Sequence, residues 1–382
     1  MRQGRDSRAH QPSVLFVVTS LGTGGAQKQV IQLAAHMDRR GWPVQGVVSL
    51  LPIEREPVEL TNRGIPSFSL GIGTKLEAVC GVLRAIRLLR RLRPEVLVTF
   101  LFHSALMGGL ARPWAGSPPM VSSIRGEGLA NSRRDLRFTV QRRMSRATVV
   151  NSRRVAMRIG GKNGRLPADL KVIPNGIQLH KPSAGCRKVA RQDLGLHDSD
   201  FVWLAVGSLL PVKDYGTLLR AFKALETTFR PKLLIAGDGP LWERLDKEIH
   251  RLRLEDCVTL LGVRKDVEDL LHGADAFVMS SRSEGMPNAL MEAMSGGKPV
   301  VATKVGGVED LVTHEREGYL VDPEDADALA QAMTRMMGLP TGPRAKLGRN
   351  GRLRMGQNHA WDIVLVQWES AISGTLSETR RL

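Results

Sequence analysis

The sequence predicts an α/β protein made of two doubly wound domains, each a parallel sheet covered by helices. Three observations lead there. The chain has 382 residues, enough for two domains. Short, wholly apolar runs alternate with longer stretches of helical apolar spacing, the pattern of strands buried on both faces and joined by crossover helices. Each half also opens with an apolar run that ends in a glycine turn and leads into a helix, once near Gly22 and again near Gly207.

Composition sets the bounds. Hydrophobic residues make up 42% of the chain, so both domains can fill a core. No apolar run is long enough to span a bilayer. The polar, basic leader over residues 1–12 is expected to be disordered. The run that follows it is too short for a signal-peptide core, and a cytoplasmic protein is expected. Cys80, Cys186 and Cys257 are odd in number and widely spaced, which fits neither a disulfide framework nor a metal cluster. The net charge of +17 is lopsided. Residues 1–185 hold 29 Lys and Arg against 10 Asp and Glu, and residues 186–382 hold 26 against 28. Two basic helical stretches, Leu83 to Arg93 and Asn131 to Arg146, mix Arg with Leu, Ile, Phe or Met. That mixture suits a helix lying on an anionic membrane surface, and it equally suits a solvated arginine face. With aromatics at 4% and no recognisable module, nucleic acid is not an expected partner.

Along residues 13–180, strands are expected at Ser13 to Ser20, Val44 to Leu50, Glu95 to Thr99, Met120 to Ser123 and Ala147 to Asn151. The helix Ala26 to about Met37 follows the first turn. Gly22, Gly24 and Gly25 make that turn, which either brings backbone N–H groups towards a phosphate or is simply tight. Position 27 is Gln, so the dinucleotide fingerprint is incomplete and a nicotinamide-dependent enzyme is disfavoured. His103, just past a strand end, is placed to handle a proton or orient a substrate, or else to make one structural hydrogen bond. Arg125 follows the next strand. It is able to bind a phosphate or carboxylate but not to act as a base, and a surface cation is its alternative reading; Glu127 is a weaker candidate beside it. Pro174-Asn175-Gly176 is a turn by its own chemistry, with a linker expected from about Gln178 to Lys188.

Residues 181–359 repeat the plan. Strands are expected at Phe201 to Val206, Lys232 to Ala236, Val258 to Leu261, Ala276 to Met279 and Pro299 to Ala302. Helices are expected at Tyr215 to Phe229, Pro240 to Arg253, Pro287 to Ser295 and Asp325 to Met337. A last amphipathic helix is read at 360–374, with a disordered tail after it. The loop Gly207-Ser208-Leu209-Leu210-Pro211-Val212-Lys213 carries one lysine, and Val263-Arg264 forms another loop. The densest stretch is Ala274 to Leu311. There Glu284 precedes a helix and Glu292 lies inside it. A loop after a parallel strand sits at the carboxyl edge of the sheet, where ligands bind. The N–H groups of Met286, Pro287's successor Asn288 and Ala289 favour an anion there. An anion at the helix start with carboxylates for hydroxyls describes a nucleotide sugar; two solvated glutamates are the plainer alternative.

The string EGMPNALMEAMSGGKPVVAT, Glu284 to Thr303, resembles the donor-site signature of the retaining glycosyltransferases of family 4, the glycosyl transferases group 1, which have the GT-B fold. The resemblance is strongest in the second half of the chain. It implies two Rossmann-like domains facing across a cleft, with the final helix crossing back to the first. It also implies that Glu284 meets the sugar hydroxyls, Glu292 the ribose and Lys213 the diphosphate. Gly285, Met286, Pro287, Asn288 and Ala289 would form the donor's helix start, Gly207 and Ser208 the loop beside it, and Val263 and Arg264 the nucleobase edge. The Gly24-Gly25 loop would approach the diphosphate or the acceptor from the other domain. Three positions depart from the pattern: Gln27 stands where many members have Glu, Arg125 where many have His, and Ser208 where Arg is usual.

The implied activity is retaining transfer of a hexosyl or N-acetylhexosaminyl unit, from a nucleotide sugar expected to be UDP-linked, to a glycan or lipid-linked acceptor. Bacterial cell-surface polysaccharide assembly is the expected setting, with the protein cytoplasmic or peripheral on the inner membrane face. A sugar-nucleotide epimerase of the same fold and a non-catalytic glycan-binding protein are the alternatives. D-x-D occurs only at Asp198-Ser199-Asp200 and Asp325-Ala326-Asp327, neither in a suitable loop, so no cofactor or metal is expected.

Overall fold

The computed structural model describes residues 11–22, 24–74, 76–125, 136–160, 165–179, 186–225 and 230–377. Most of the leader, Glu127 and the end of the tail lie outside the described residues. The first half contains β1 (Val14–Val18), α1 (Gly25–Arg39), β2 (Val44–Ser49), α2 (Val58–Thr61), β3 (Ser67–Ser69), α3 (Glu77–Leu92), β4 (Val96–Phe100), α4 (Phe102–Ala111), β5 (Met120–Ile124), α5 (Leu136–Met144), β6 (Ala147–Val150), α6 (Arg153–Ile159) and β7 (Leu170–Val172). The second half contains α7 (Cys186–Asp193), β8 (Asp200–Val206), α8 (Tyr215–Lys223), β9 (Arg230–Ala236), α9 (Trp242–Leu252), β10 (Val258–Gly262), α10 (Val267–Gly273), β11 (Ala276–Met279), α11 (Asn288–Ser295), β12 (Val300–Thr303), α12 (Val308–Leu311), β13 (Gly318–Val321), α13 (Ala326–Gly338), α14 (Thr341–Asn358) and α15 (Trp361–Ser377).

Two sheets result, with strand orders β3-β2-β1-β4-β5-β6-β7 and β10-β9-β8-β11-β12-β13. Every strand pairs in parallel. In each sheet the order reverses once, between β1 and β4 and between β8 and β11. A crevice opens at such a switch point, outside the carboxyl ends of the strands. β1, β4, β5 and β11 are buried at every position, as parallel strands covered on both faces must be.

The last helix belongs to the first sheet. Trp361, Val364, Leu365, Trp368, Ala371 and Ile372 recur at helical spacing and pack with Phe16, Val98 and Phe100 in that sheet's core. Trp368 stacks on Phe100 with ring centres 5.6 Å apart. The chain thus crosses from the second sheet back to the first at Ala360, where Ile177 N–H donates to the His359 carbonyl at 2.8 Å.

Several elements differ from the sequence reading. Helix α14 was not anticipated, because four glycines interrupt its apolar pattern. Those glycines are the reason it fits: a Cβ on Gly348 would lie 1.9 Å from the Gly297 carbonyl oxygen, so the helix lies directly on the turn that ends α11. Strand β3 has three residues, two of them serine, and β13 opens on a glycine, so neither carries a clear apolar run. Helix α8 ends at Lys223 rather than Phe229, and α7 starts at Cys186 inside the expected linker. Helix α15 continues to Ser377, with Thr375 buried. Pro287 caps α11 in an extended conformation, one residue ahead of the helix. Asp198-Ser199-Asp200 leads into β8, and Asp325 caps α13 by accepting the Ala328 N–H at 2.8 Å.

Candidate active site

The second sheet's switch point holds Lys213 and Glu284. Lys213 ends a short helical turn, Pro211–Lys213, just past β8. Asp214 follows with φ +49, a left-handed conformation costly for a side-chain residue. Its carboxylate compensates by capping α8, accepting from Thr217 Oγ1 at 2.8 Å, and by accepting from Arg282 Nε at 3.0 Å. The loop after β11 is stitched to this turn. Ser280 Oγ donates to the Lys213 carbonyl at 2.9 Å, and Arg282 N–H donates to the Val212 carbonyl at 2.8 Å. Glu284 then accepts from Lys213 Nζ at 2.5 Å and from Ser281 Oγ at 2.7 Å. Both side chains keep an exposed edge, 22% for Lys213 and 12% for Glu284. A cation and a carboxylate are therefore held side by side at the rim.

The surrounding glycines set how closely these loops approach. A Cβ on Gly237, at φ +152, would lie 1.9 Å from the Gly207 carbonyl oxygen. That same oxygen accepts the Tyr215 hydroxyl at 3.0 Å, and burial, aided by Glu284, pushes the phenol's pKa up, so it remains a neutral donor. Gly307 N–H donates to the Gly285 carbonyl at 2.8 Å, and a Cβ on Gly307 would lie 2.0 Å from that oxygen. Ser208 is exposed beside Gly207. Val263 and Arg264 are exposed at the end of β10, and Arg264 is paired with Asp266 of its own loop through Nε at 2.8 Å.

The helix start at Met286 to Ala289 faces the first domain. Met286 and Pro287 are buried. The Asn288 amide reaches across: Nδ2 donates to the Gly25 carbonyl at 3.0 Å, and Oδ1 accepts from Asn175 Nδ2 at 2.7 Å and from Gln29 Nε2 at 3.3 Å. Asn175 Nδ2 also donates to the Met286 carbonyl at 3.1 Å. Glu292, 9% exposed, pairs with Lys28 of α1. So each glutamate of the signature has a lysine partner, Lys213 within its own domain and Lys28 across the cleft.

On the first domain, Leu101 at φ +73 turns the chain sharply from β4 into α4. This places His103 in the first turn of α4, exposed, with its ring edge-on to Phe102. Arg125 is half-buried. Its guanidinium lies 5.0 Å from the Phe100 ring centre and 5.6 Å from Trp368, donates to Ser123 Oγ at 2.7 Å through Nε, and donates to Asn175 Oδ1. Burial lowers its pKa to about 9, which leaves it cationic at neutral pH. Arg125 thereby holds Asn175, which holds the start of α11. Gly24 and Gly25 lie exposed at the N-terminus of α1, and Gln27 Nε2 donates to Ser20 Oγ at 2.8 Å.

Sequence reading missed Lys28, Gln29 and Asn175 as members of this assembly. The signal for the first two was spacing: Gly25, Lys28 and Gln29 share one face of α1. Asn175 was read only as a turn. Among the described residues no group of three or more His, Cys, Asp or Glu is placed to hold a metal ion.

Comparison with known proteins agrees with this arrangement. Residues 187–354 match the family model for glycosyl transferases group 1, and residues 23–181 match that for glycosyltransferase family 4. The chain is 28% identical over 263 residues, 65% of its length and 68% of the relative's, to the Escherichia coli UDP-Gal:alpha-D-GlcNAc-diphosphoundecaprenol alpha-1,3-galactosyltransferase. It is 34% identical to the Rhizobium meliloti lipopolysaccharide core biosynthesis glycosyltransferase LpsD over 54% of this chain and 59% of that one. In fold it is similar to Anabaena Alr3699/HepE, solved in complex with UDP and glucose, with a TM-score of 0.80 and 24% identity over 96% of this chain and all of that one. Two parallel-sheet domains, the signature loop at the second switch point and both family models lead to one conclusion: the chain belongs to the group 1, family 4 glycosyltransferases and has the GT-B fold.

Proposed function

We propose that this glycosyltransferase transfers a hexosyl or N-acetylhexosaminyl unit from a UDP-linked donor to a lipid-linked or glycan acceptor, with retention at the anomeric carbon, in bacterial cell-surface polysaccharide assembly. The observation that carries the reading is the Lys213–Glu284 pair at the rim of the second switch point, beside the start of α11. In the reaction, the bond from the anomeric carbon to the diphosphate breaks and the bond to the acceptor oxygen forms. Negative charge builds on the departing diphosphate, and positive charge on the sugar ring. Lys213 supplies the fixed cation for the first, and the N–H groups at the start of α11 add to it. Glu284 accepts sugar hydroxyls and orients the ring. Glu292 accepts the ribose hydroxyls, and the exposed loop at Val263 and Arg264 borders the base. Arg264 pairs there with Asp266 of its own loop. No cofactor or metal enters the proposed reaction.

A lipid-linked acceptor fits the first domain's surface. Leu76, just ahead of α3, and Val79 and Leu83 on it are 89%, 70% and 50% exposed, and the same helix face continues into Arg87 and Arg90. Arg90 Nε donates to the Trp114 carbonyl at 2.7 Å, and Trp114 is itself 65% exposed. Apolar side chains beside arginines suit the headgroup region of an anionic bilayer. Helix α4, which carries His103, packs against α3, so acceptors drawn from that surface arrive near the cleft. The E. coli relative, whose name gives a diphosphoundecaprenol-linked acceptor, supports the same direction. Among the described residues no helix is long and apolar enough to cross a membrane, and a peripheral position on the cytoplasmic face is the proposed one.

The test is turnover with a panel of UDP, GDP and ADP sugars and polyprenyl-diphosphate sugars on vesicles of phosphatidylglycerol, with product anomers assigned by NMR. Transfer from a UDP sugar with an unchanged anomeric configuration supports the proposal. An inverted product or strict use of another base overturns that part of it.

A further inference from the structure

Helices α1 and α11 meet across the cleft through matching polar faces. On α1 the face consists of Gly25, Lys28 and Gln29, and on α11 of Asn288 and Glu292, one helical turn apart. Among the described residues, one contact in this seam joins two full charges: Lys28 Nζ donates to Glu292 Oε1. The two ends differ in environment. Lys28 is 57% exposed on the rim, whereas the Glu292 side chain is 11% exposed. A carboxylate at that depth without a counter-charge is costly, so the facing cation holds it in place.

We infer that Lys28 is a positioning residue that latches the two domains together through Glu292, so that donor binding at that carboxylate and closure of the cleft are one coupled event. The inference rests on the reading of Glu292 as the carboxylate that takes the nucleotide's ribose hydroxyls. Lys28 binds one oxygen of the carboxylate and fixes its orientation, which leaves the other oxygen to accept hydrogen bonds from ribose hydroxyls. Linkage makes the effect reciprocal: a ligand that needs Glu292 in this orientation stabilises the arrangement in which Lys28 reaches it. The neighbouring neutral contacts at Asn288 set the register of the seam, and the ion pair supplies its charge dependence. A second ion pair between the domains, Arg154 to Glu309 at 2.5 Å, joins α6 to α12 at a more exposed position.

The test combines small-angle scattering of the ligand-free protein, UDP affinity by calorimetry and donor kinetics. Lys28→Glu, which sets two carboxylates against each other, is expected to enlarge the radius of gyration and weaken UDP binding. The exchanged pair, Lys28→Glu with Glu292→Lys, is expected to restore the wild-type radius without restoring UDP affinity, because the carboxylate has moved to the wrong domain. The milder Lys28→Met should raise the donor KM about 10-fold, more than it lowers kcat, with Lys28→Arg recovering most of the loss. A Lys28→Glu protein with the wild-type radius and donor KM overturns the inference, as does an exchanged pair as open as the single variant. A wild-type protein that binds no nucleoside diphosphate refutes the functional reading instead, and the scattering comparison still decides the latch.

Discussion

Gly307→Ala is a one-atom change that reaches the signature loop from outside it. The Gly307 N–H is bonded to the Gly285 carbonyl at 2.8 Å, and an added Cβ would lie 2.0 Å from that oxygen and 3.2 Å from Met286 Cα. Contacts below 3.0 Å are not sustained, so one of the two backbones must shift by about 1 Å. Neither neighbour is the flexible end of a side chain. Gly285 lies between Glu284 and the cap of α11, and the shift passes to both. A displacement of about 1 Å in a positioned group costs on the order of 100-fold in rate. Overpacking in a buried turn costs about 1–3 kcal/mol of stability. The assay is kcat/KM for sugar transfer beside a thermal melt. The expected result is a fall of about 100-fold in kcat/KM in a protein that still folds. Gly342→Ala is the control: it lies in α14 with nothing within 4 Å of its Cβ, and it should gain up to about 1 kcal/mol with unchanged turnover. Wild-type turnover in a folded Gly307→Ala protein would refute the reasoning, since the loop would then not need its observed position.

Lys213→Ala removes the cation proposed to face the leaving group and should lower kcat by about 100- to 1000-fold, equivalent to ~2.7–4 kcal/mol; single-turnover kinetics at saturating donor would measure it, and a near-normal rate would exclude Lys213 from charge stabilisation. Trp368→Ala empties a site that is 1% exposed, stacked on Phe100 and next to Arg125, and should cost about 3–5 kcal/mol in denaturant unfolding; a loss below about 1 kcal/mol would mean that α15 is not part of the first domain's core. Acid should weaken the crossing point. Burial, with Arg39 nearby, lowers the pKa of His36 from 6.5 to about 4, and burial lowers that of His359 likewise to about 4. Both are neutral when folded and take up protons once unfolded, so their contribution is complete above pH ~6.5 and is lost as pH falls towards 4. Melting temperatures at pH 7.5 and 5 should therefore diverge, and His359→Gln should narrow the gap; a gap unaffected by that change would assign the acid sensitivity elsewhere.

The two-sheet architecture was legible because buried parallel strands are apolar at every position, and runs such as VLFVV and AFVM have few other readings. The meeting of Lys213 and Glu284 was legible because each follows a strand end, at β8 and β11, and the fold brings these two strand ends together at the switch point. What the sequence could not show depends on pairs distant along the chain. Lys28 and Glu292 are 264 residues apart, and Arg125 and Asn175 are 50 apart. Neither pair has a periodic signal: the first forms across the cleft between the domains, and the second joins the loops after β5 and β7 within the first domain. Arg125 shows the difference most clearly. Its place past a strand end was legible, but not that its guanidinium lies against Phe100 and Trp368, which stack on each other, the tryptophan arriving from the far end of the chain. Helix α14 was hidden for another reason: the glycines that disrupt its apolar pattern are what allow it to lie against Gly297.

The most direct test of the central claim, that the Lys213–Glu284 rim is a nucleotide-sugar site, is calorimetric titration of wild-type and Lys213→Ala protein with UDP, GDP and ADP sugars. The account predicts one saturable site in the wild type, selective for UDP sugars, weakened at least about 10-fold by Lys213→Ala. Equal affinity in the two proteins, or no binding of any nucleotide sugar, would contradict it.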